Sequence, residues 1–379
     1  MPMQQLLLIG AGHAHAFVLE AFARQPDPDI AITVVSDSPL AAYSGSVPAW
    51  LAGECTLRET QIDVAALCHR ANARLILSPA RALNTHARYA ELANDQRLNF
   101  DVASFNIGST LSLPQKLGEQ LPRLLSMRPL SSLHQRWQAL KNDISHFHSG
   151  GKKRIVGVGG GAAGCETLMS VLTQLRQQRP DIEWQGHLLS ASNELLPGAG
   201  HLPRWLTRRA LSKAGITVRS PLRGESLVKG GISTQNGQHI EADIVMWATG
   251  AVGHPWLAET TLPLDKRNFI YVDNTLEVSG QPGIFAAGDC AAFTPPLPNA
   301  GVYAVRMGPH LADNLRRACR SQPLAPWQPP KRVLALIGTG DGHAIASRGA
   351  IGFSGKWVWA WKKRIDARFI DRFNPPFKQ

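Results

Sequence analysis

The sequence predicts an α/β protein built from two Rossmann-like dinucleotide-binding units and a C-terminal segment. Three observations predict it. The stretch QQLLLIGAGHAHAFVLEAFA (4–23) reads as a strand, a glycine turn and a helix. The stretch KKRIVGVGGGAAGCETLMSVLTQL (152–175) repeats that form about 150 residues later. The stretch PGIFAAGDCAAF (282–293) is an apolar strand that ends in Gly288-Asp289.

In the first opening, Leu6 to Ile9 form a buried strand, Gly10 permits the tight turn and Gly12 lets a pyrophosphate approach the backbone. The helix N-terminus from about His13 offers unpaired N–H donors. The place of a third glycine is taken by His15. On a helix, His13 and His15 point roughly 200° apart, so a shared metal is not expected. The second strand, IAITVVS (30–36), completes a βαβ opening. It puts Ser36 where an acid for a ribose hydroxyl is expected, and Asp37 one place later.

Residues 108–150 read as an irregular connection followed by an amphipathic helix, LSSLHQRWQALKNDISHF (130–147), bridging two domains. The second opening carries Gly159, Gly161 and Gly164 in full G-x-G-x-x-G register. Its following strand, IEWQGHLLSAS (182–192), puts Ser190 at the ribose position with no adjacent arginine. The closing strand is ADIVMWATG (242–250). A carboxylate at Asp289 can accept from sugar-like hydroxyls while the next helix N-terminus faces phosphates.

With 379 residues, 44% of them hydrophobic, the chain has ample core for two or three domains and no run of 18 apolar residues. No basic n-region precedes the first strand, and five cysteines, an odd number, fit reduced thiols. A net charge of +12 predicts attraction to polyanions. The basic residues are spread without a recognition motif, so nucleic acid is not an expected partner.

Together, GAGHAH (10–15), FDVASFNIGS (100–109), GGGAAGCE (159–166), IVMWATG (244–250) and GIFAAGDC (283–290) resemble the flavoproteins of the pyridine nucleotide-disulfide oxidoreductase superfamily. Within it, GHAHAFVL (12–19), YSGSVPAWLAGE (43–54), GVYAVRMGPHLADNL (301–315), LALIGTGDGHAIASRG (334–349) and KWVWAWKKRIDARFIDRF (356–373) are similar to the type II NADH dehydrogenase branch. They resemble most the flavoprotein domain fused ahead of selenide, water dikinase.

The resemblance implies FAD and either NADH or NADPH as cofactors. It implies a hydride passed to flavin and electrons passed on to a quinone or to a sulfur or selenium acceptor. The alternative it leaves open is a non-catalytic flavin-bound regulator of a selenium-pathway enzyme. It divides the chain into 1–150 and 268–330 for FAD, 151–267 for NAD(P)H and 331–379 as the C-terminal segment. FAD would meet Gly10, Gly12 and His13, with His15 as packing or beside the cofactor. Asp37, Tyr43, Ser44, Pro48, Arg128, Gly288, Asp289, Gly301 and Val302 would complete that site. Gly159, Gly161, Gly164 and Glu166 would meet the nicotinamide cofactor.

No cysteine pair stands in AAYSGSVPAW (41–50), so a dithiol mechanism is not implied; Cys165 and Cys290 are expected to be small packing residues, with Cys290 the better redox candidate of the two. Trp357, Trp361, Ile365, Phe369 and Phe373 recur every fourth residue as one apolar stripe amid basic residues. That helix would touch a membrane, the protein's own core or a second copy of the chain, giving a cytoplasmic protein with a peripheral place on the inner face of the membrane.

Overall fold

The computed structural model describes residues 3–374. Its elements alternate as the sequence predicts: β1 (Gln4–Ile9), α1 (His13–Arg24), β2 (Ile30–Ser36), a short α2 (Val47–Leu51), β3 (Arg74–Leu77) and β4 (Val102–Phe105). Then come β5 (Arg123–Ser126), α3 (Leu133–Ser145), β6 (Lys152–Val158), α4 (Ala162–Gln178), β7 (Glu183–Leu189), α5 (His201–Lys213), β8 (Ile216–Arg219) and β9 (Ile244–Trp247). The chain returns through β10 (Ile284–Ala286) and α6 (Gly301–Cys319). It ends with β11 (Ala335–Gly338), β12 (Ala344–Arg348), β13 (Ile351–Gly355) and α7 (Lys356–Phe373).

Two five-stranded parallel sheets organise the molecule. The first has the order β10-β4-β1-β2-β3, with Leu6 level with both Ile32 and Val102. The second has the order β5-β9-β6-β7-β8, with Ile155 level with Gly186 and Ile244. In each, the strand that runs into the glycine loop is central. Burial on both faces explains the unbroken apolar runs, since Leu6, Leu7, Leu8 and Ile9 are all at most 1% exposed.

The crossing between sheets lies earlier than residue 150. Arg123–Ser126 pairs with Ile244–Trp247, so β5, and the α3 helix packed on it, already belong to the second sheet. A short parallel strand beside a longer irregular stretch left little periodic signal. Ile284–Ala286 then pairs with Ala103–Phe105, which brings Gly288-Asp289 to the mouth of the first sheet. Helix α1 packs closely on α6, where a side chain on Gly308 would strike Phe17.

Candidate functional site

The first glycine loop is clamped from beneath by Asn106, at the end of β4. Its carboxamide oxygen accepts from the amides of Ala14 (2.9 Å) and His15 (3.3 Å), and its nitrogen donates to the Ala287 carbonyl (2.6 Å). The Gly12 amide donates to the Asn106 carbonyl at 3.1 Å. One buried side chain thus ties together β4, the α1 N-terminus and the end of β10. Sequence reasoning missed Asn106, although its signal, a lone amide at the end of an apolar strand, stood within FDVASFNIGS.

His15 is not a cofactor contact. It is fully buried, with Nδ1 2.6 Å from the Gly10 carbonyl and Nε2 2.9 Å from the Ser104 hydroxyl. Burial pulls its pKa down to about 4, so it is neutral. Both ring nitrogens are used inside the protein, which also removes it as a metal ligand.

Above the loop, four segments converge. His13 packs edge-on against Tyr43, with ring centroids 5.3 Å apart, and the Ser44 amide lies 3.4 Å from its Nε2. Gly301, the first residue of α6, faces Ser44 and the His13 ring, and Val302 follows it in the half-buried first turn. Burial lowers the His13 pKa despite the nearby Asp289. Asp289 is ion-paired with Arg128 at 2.7 Å, and Arg128 also donates to Ser109.

The sequence treats Arg128 and Asp289 as separate contacts, but here each is the other's partner. Gly288 is buried with φ +74°, which makes the turn that aims Asp289. Pro48 is buried in the first turn of α2. Asp37 is exposed, just past the buried Ser36.

The second loop is more open. An added side chain on Gly161 would meet nothing within 4 Å, so the space over it is free for a ligand. Gly164 differs, because a Cβ there would collide with the Gly159 carbonyl. Gly159 has φ +130°, a conformation that suits glycine.

Glu166 turns away from this loop. Its carboxylate accepts from the Gly338 amide at 2.7 Å and lies 3.7 Å from Lys362 of α7. Burial raises its pKa to about 7. Lys362 is 3% exposed, donates to the Gly45 carbonyl and pairs with Asp366 at 2.8 Å. Burial opposes its charge, but Glu166 and Asp366 outweigh that and raise its pKa. Lys362 is therefore a buried cation with Asp366 as its counter-ion, and Glu166 beside it gives up its proton only around neutrality. Tyr43, whose pKa burial also raises, completes the network and stacks on Phe369 at 4.2 Å. Glu166 is thus a structural link between α4 and α7 rather than a cofactor contact.

Cys290 is fully buried, donates weakly to the Ala287 and Phe105 carbonyls, and has its thiol pushed up to about 12. It is a neutral thiol packed in the core. Burial likewise pushes Cys165 to about 12, and Cys55, the one half-exposed thiol, to about 11.

The predicted apolar stripe of α7 divides in two. Phe373 is buried and Phe369 packs against the first unit's core, whereas Trp357, Trp361 and Ile365 are 57%, 38% and 36% exposed. Trp357 lies parallel to Trp361, and Phe353 of β13, also exposed, lies beside Trp357.

Each unit thus carries a strand, a glycine loop and a helix, and the second loop is open over Gly161. The pyridine nucleotide-disulphide oxidoreductase family model matches residues 4–314. The chain belongs to that family. The family's cofactors, FAD with NADH or NADPH, are those the sequence implied.

Among curated relatives, a probable NADH dehydrogenase of Dictyostelium discoideum is 30% identical over 35% of this chain and 31% of its own length. The demethylphylloquinone reductase NdbB of a Synechocystis strain is 28% identical over 68% of this chain and 65% of its own. The chain therefore spans less than two thirds of both. Two solved structures share the fold. A sulfide:quinone oxidoreductase of Aquifex aeolicus is 16% identical, with TM-score 0.79 and coverage of 99% and 94% of the two chains. NDH2 of Plasmodium falciparum is 13% identical, with TM-score 0.76 and 99% coverage of both.

Proposed function

We propose that this family member is an FAD-dependent NAD(P)H dehydrogenase that reduces a quinone at a membrane surface. In such a reaction FAD supplies the hydride acceptor and the electron relay. In this reading the sheet built around Gln4–Ile9 holds FAD, the sheet built around Lys152–Val158 and joined by Arg123–Ser126 holds the nicotinamide cofactor, and the C-terminal helix α7 closes the crevice.

Gly10, Gly12 and the His13 amide would hold the flavin pyrophosphate at the positive end of α1. Asp37 would accept from a ribose hydroxyl and Asp289 from the ribityl chain, with Arg128 kept beside it. The α6 N-terminus at Gly301 and Val302 would oppose negative charge on the ring, next to Tyr43 and Ser44. Gly159, Gly161 and Gly164 would cradle the second pyrophosphate.

The observation that carries the acceptor is that one helix serves both the crevice and the surface. Lys362 and Phe369 of α7 reach Gly45 and Tyr43, while Trp357 and Trp361 of the same helix stand exposed beside Lys363 and Arg364. Exposed tryptophans with basic neighbours suit an anionic bilayer interface, giving a peripheral position. No helix among the described residues is long and apolar enough to cross a membrane. Buried thiols held well above neutrality argue against a cysteine relay to sulfur.

Stopped-flow reoxidation of the nicotinamide-reduced protein separates the acceptors. Rapid reoxidation by a water-soluble quinone is expected. Reoxidation only by polysulfide or selenite would instead support the sulfur or selenium role implied by the resemblance to the domain fused to selenide, water dikinase.

A further inference from the structure

The first sheet has a second concavity, on its face away from α1. A three-stranded antiparallel meander, Ala80–Asn84, Tyr89–Leu92 and Arg97–Asn99, packs on that face, where Leu7 shares a buried cluster with Leu83, Ala90 and Leu92. Between the last strand of the meander and strands β1, β2 and β3 a cavity of about 320 Å³ remains. Leu7, Thr33 and Arg74, level with one another across the three strands, line one side of it, and Arg97, Leu98 and Asn99 line the other. Its size is that of the smaller ligand pockets.

The polar groups of this lining are unevenly committed. Arg97 pairs with Glu91 at 2.7 Å and lies over the Tyr89 ring. Arg74 has no ion-pair partner among the described residues, and there the Thr33 hydroxyl and the Asn99 carboxamide form no hydrogen bond. No carboxylate lines the cavity, since Glu91 is taken by Arg97 and Asp101, which accepts from the Gln5 amide at 2.7 Å, is not part of its wall.

One free guanidinium beside two leucines, with two uncommitted neutral polar groups and no acid, suits an organic monoanion. A carboxylate takes two parallel hydrogen bonds from an arginine. A phosphate with nearly two charges would be left half matched, because Glu91 already neutralises Arg97. We propose that this cavity binds a small monocarboxylate with an apolar body, its head on Arg74 and its body against Leu7 and Leu98. The cavity shares no residue with either glycine loop, so the inference stands apart from the function proposed above.

Isothermal titration of the whole purified protein with benzoate, its uncharged analogue benzamide and inorganic phosphate tests this without turnover. Benzoate should bind with the visible spectrum unchanged, and the other two at least about tenfold more weakly, as expected when a charge-assisted hydrogen bond or the apolar contact is lost. Arg74→Ala should weaken benzoate by at least about tenfold without moving the ligand-free melting temperature, because this exposed side chain has no partner to lose. Asn99→Asp, which places a carboxylate in the wall, should weaken it too. Equal affinity for benzoate and benzamide, tighter binding of phosphate, or equal benzoate affinity in wild type and Arg74→Ala would overturn the site. So would an absence of benzoate binding, or binding that shifts the flavin bands and so places the probe in the crevice.

Discussion

His15 and Gly164 occupy equivalent places after their loops, yet one is an imidazole and the other admits no Cβ. The difference is local. At His15 the loop carbonyl of Gly10 becomes a hydrogen-bond partner, whereas at Gly164 the Gly159 carbonyl would be struck. The sequence showed the missing glycine but not its replacement bond, because that bond needs Ser104 from a distant strand.

A neutral buried histidine makes stability pH-dependent. With the folded pKa near 4 against 6.5 unfolded, its contribution is complete above pH 6.5 and is lost as pH falls toward 4. The full effect is on the order of 3 kcal/mol. Denaturation curves at pH 8 and pH 5 should show His15→Asn losing part of the wild-type fall, and identical falls would contradict this assignment. Asn106→Ala should cost about 1–3 kcal/mol by leaving buried amides unpaired. It should also lower the flavin retained through purification, and an unchanged melting temperature would count against the clamp.

Among the elements, the glycine loops and their strands were legible because a parallel central strand is apolar on both faces and its turn demands glycine. β5 and the C-terminal segment were less so. Arg123–Ser126 is four residues long, and the α7 stripe gives no hint that Phe373 is buried while Trp357 is exposed. Nor did a cysteine or an acid beside a motif reveal its surroundings, because the Phe105 carbonyl that meets Cys290 and the Lys362 ammonium near Glu166 come from distant segments.

The second loop offers a clean contrast between folding and binding. Gly164→Ala should lower the melting temperature because backbone must move. Gly161→Val should leave it nearly unchanged while abolishing nicotinamide-nucleotide binding by titration; normal binding would refute the cradle. For α7, Trp357→Ser with Trp361→Ser should release the protein from anionic liposomes in co-sedimentation without altering circular dichroism. Retained liposome binding would place the membrane face elsewhere.

At the scale of the molecule, α7 locks the two units to each other. Arg372 pairs with Glu20 of α1, Trp359 donates to Glu54, and Lys362 sits between Glu166 of the second unit and Gly45 of the first. Removing the Lys362 charge strands Asp366 in the interior, which breaks a buried pair and costs about 3–5 kcal/mol. Lys362→Met should therefore melt well below the wild type.

The whole account rests on a flavin seated over Gly12 and Asp289 within reach of a nicotinamide over Gly161. Anaerobic titration of the purified protein with NADPH and NADH, followed by its visible spectrum, tests that arrangement most directly. The expected result is about one FAD per chain, bleached by a nicotinamide cofactor. A chain that takes up no FAD on reconstitution, or whose bound flavin neither cofactor reduces, would contradict it.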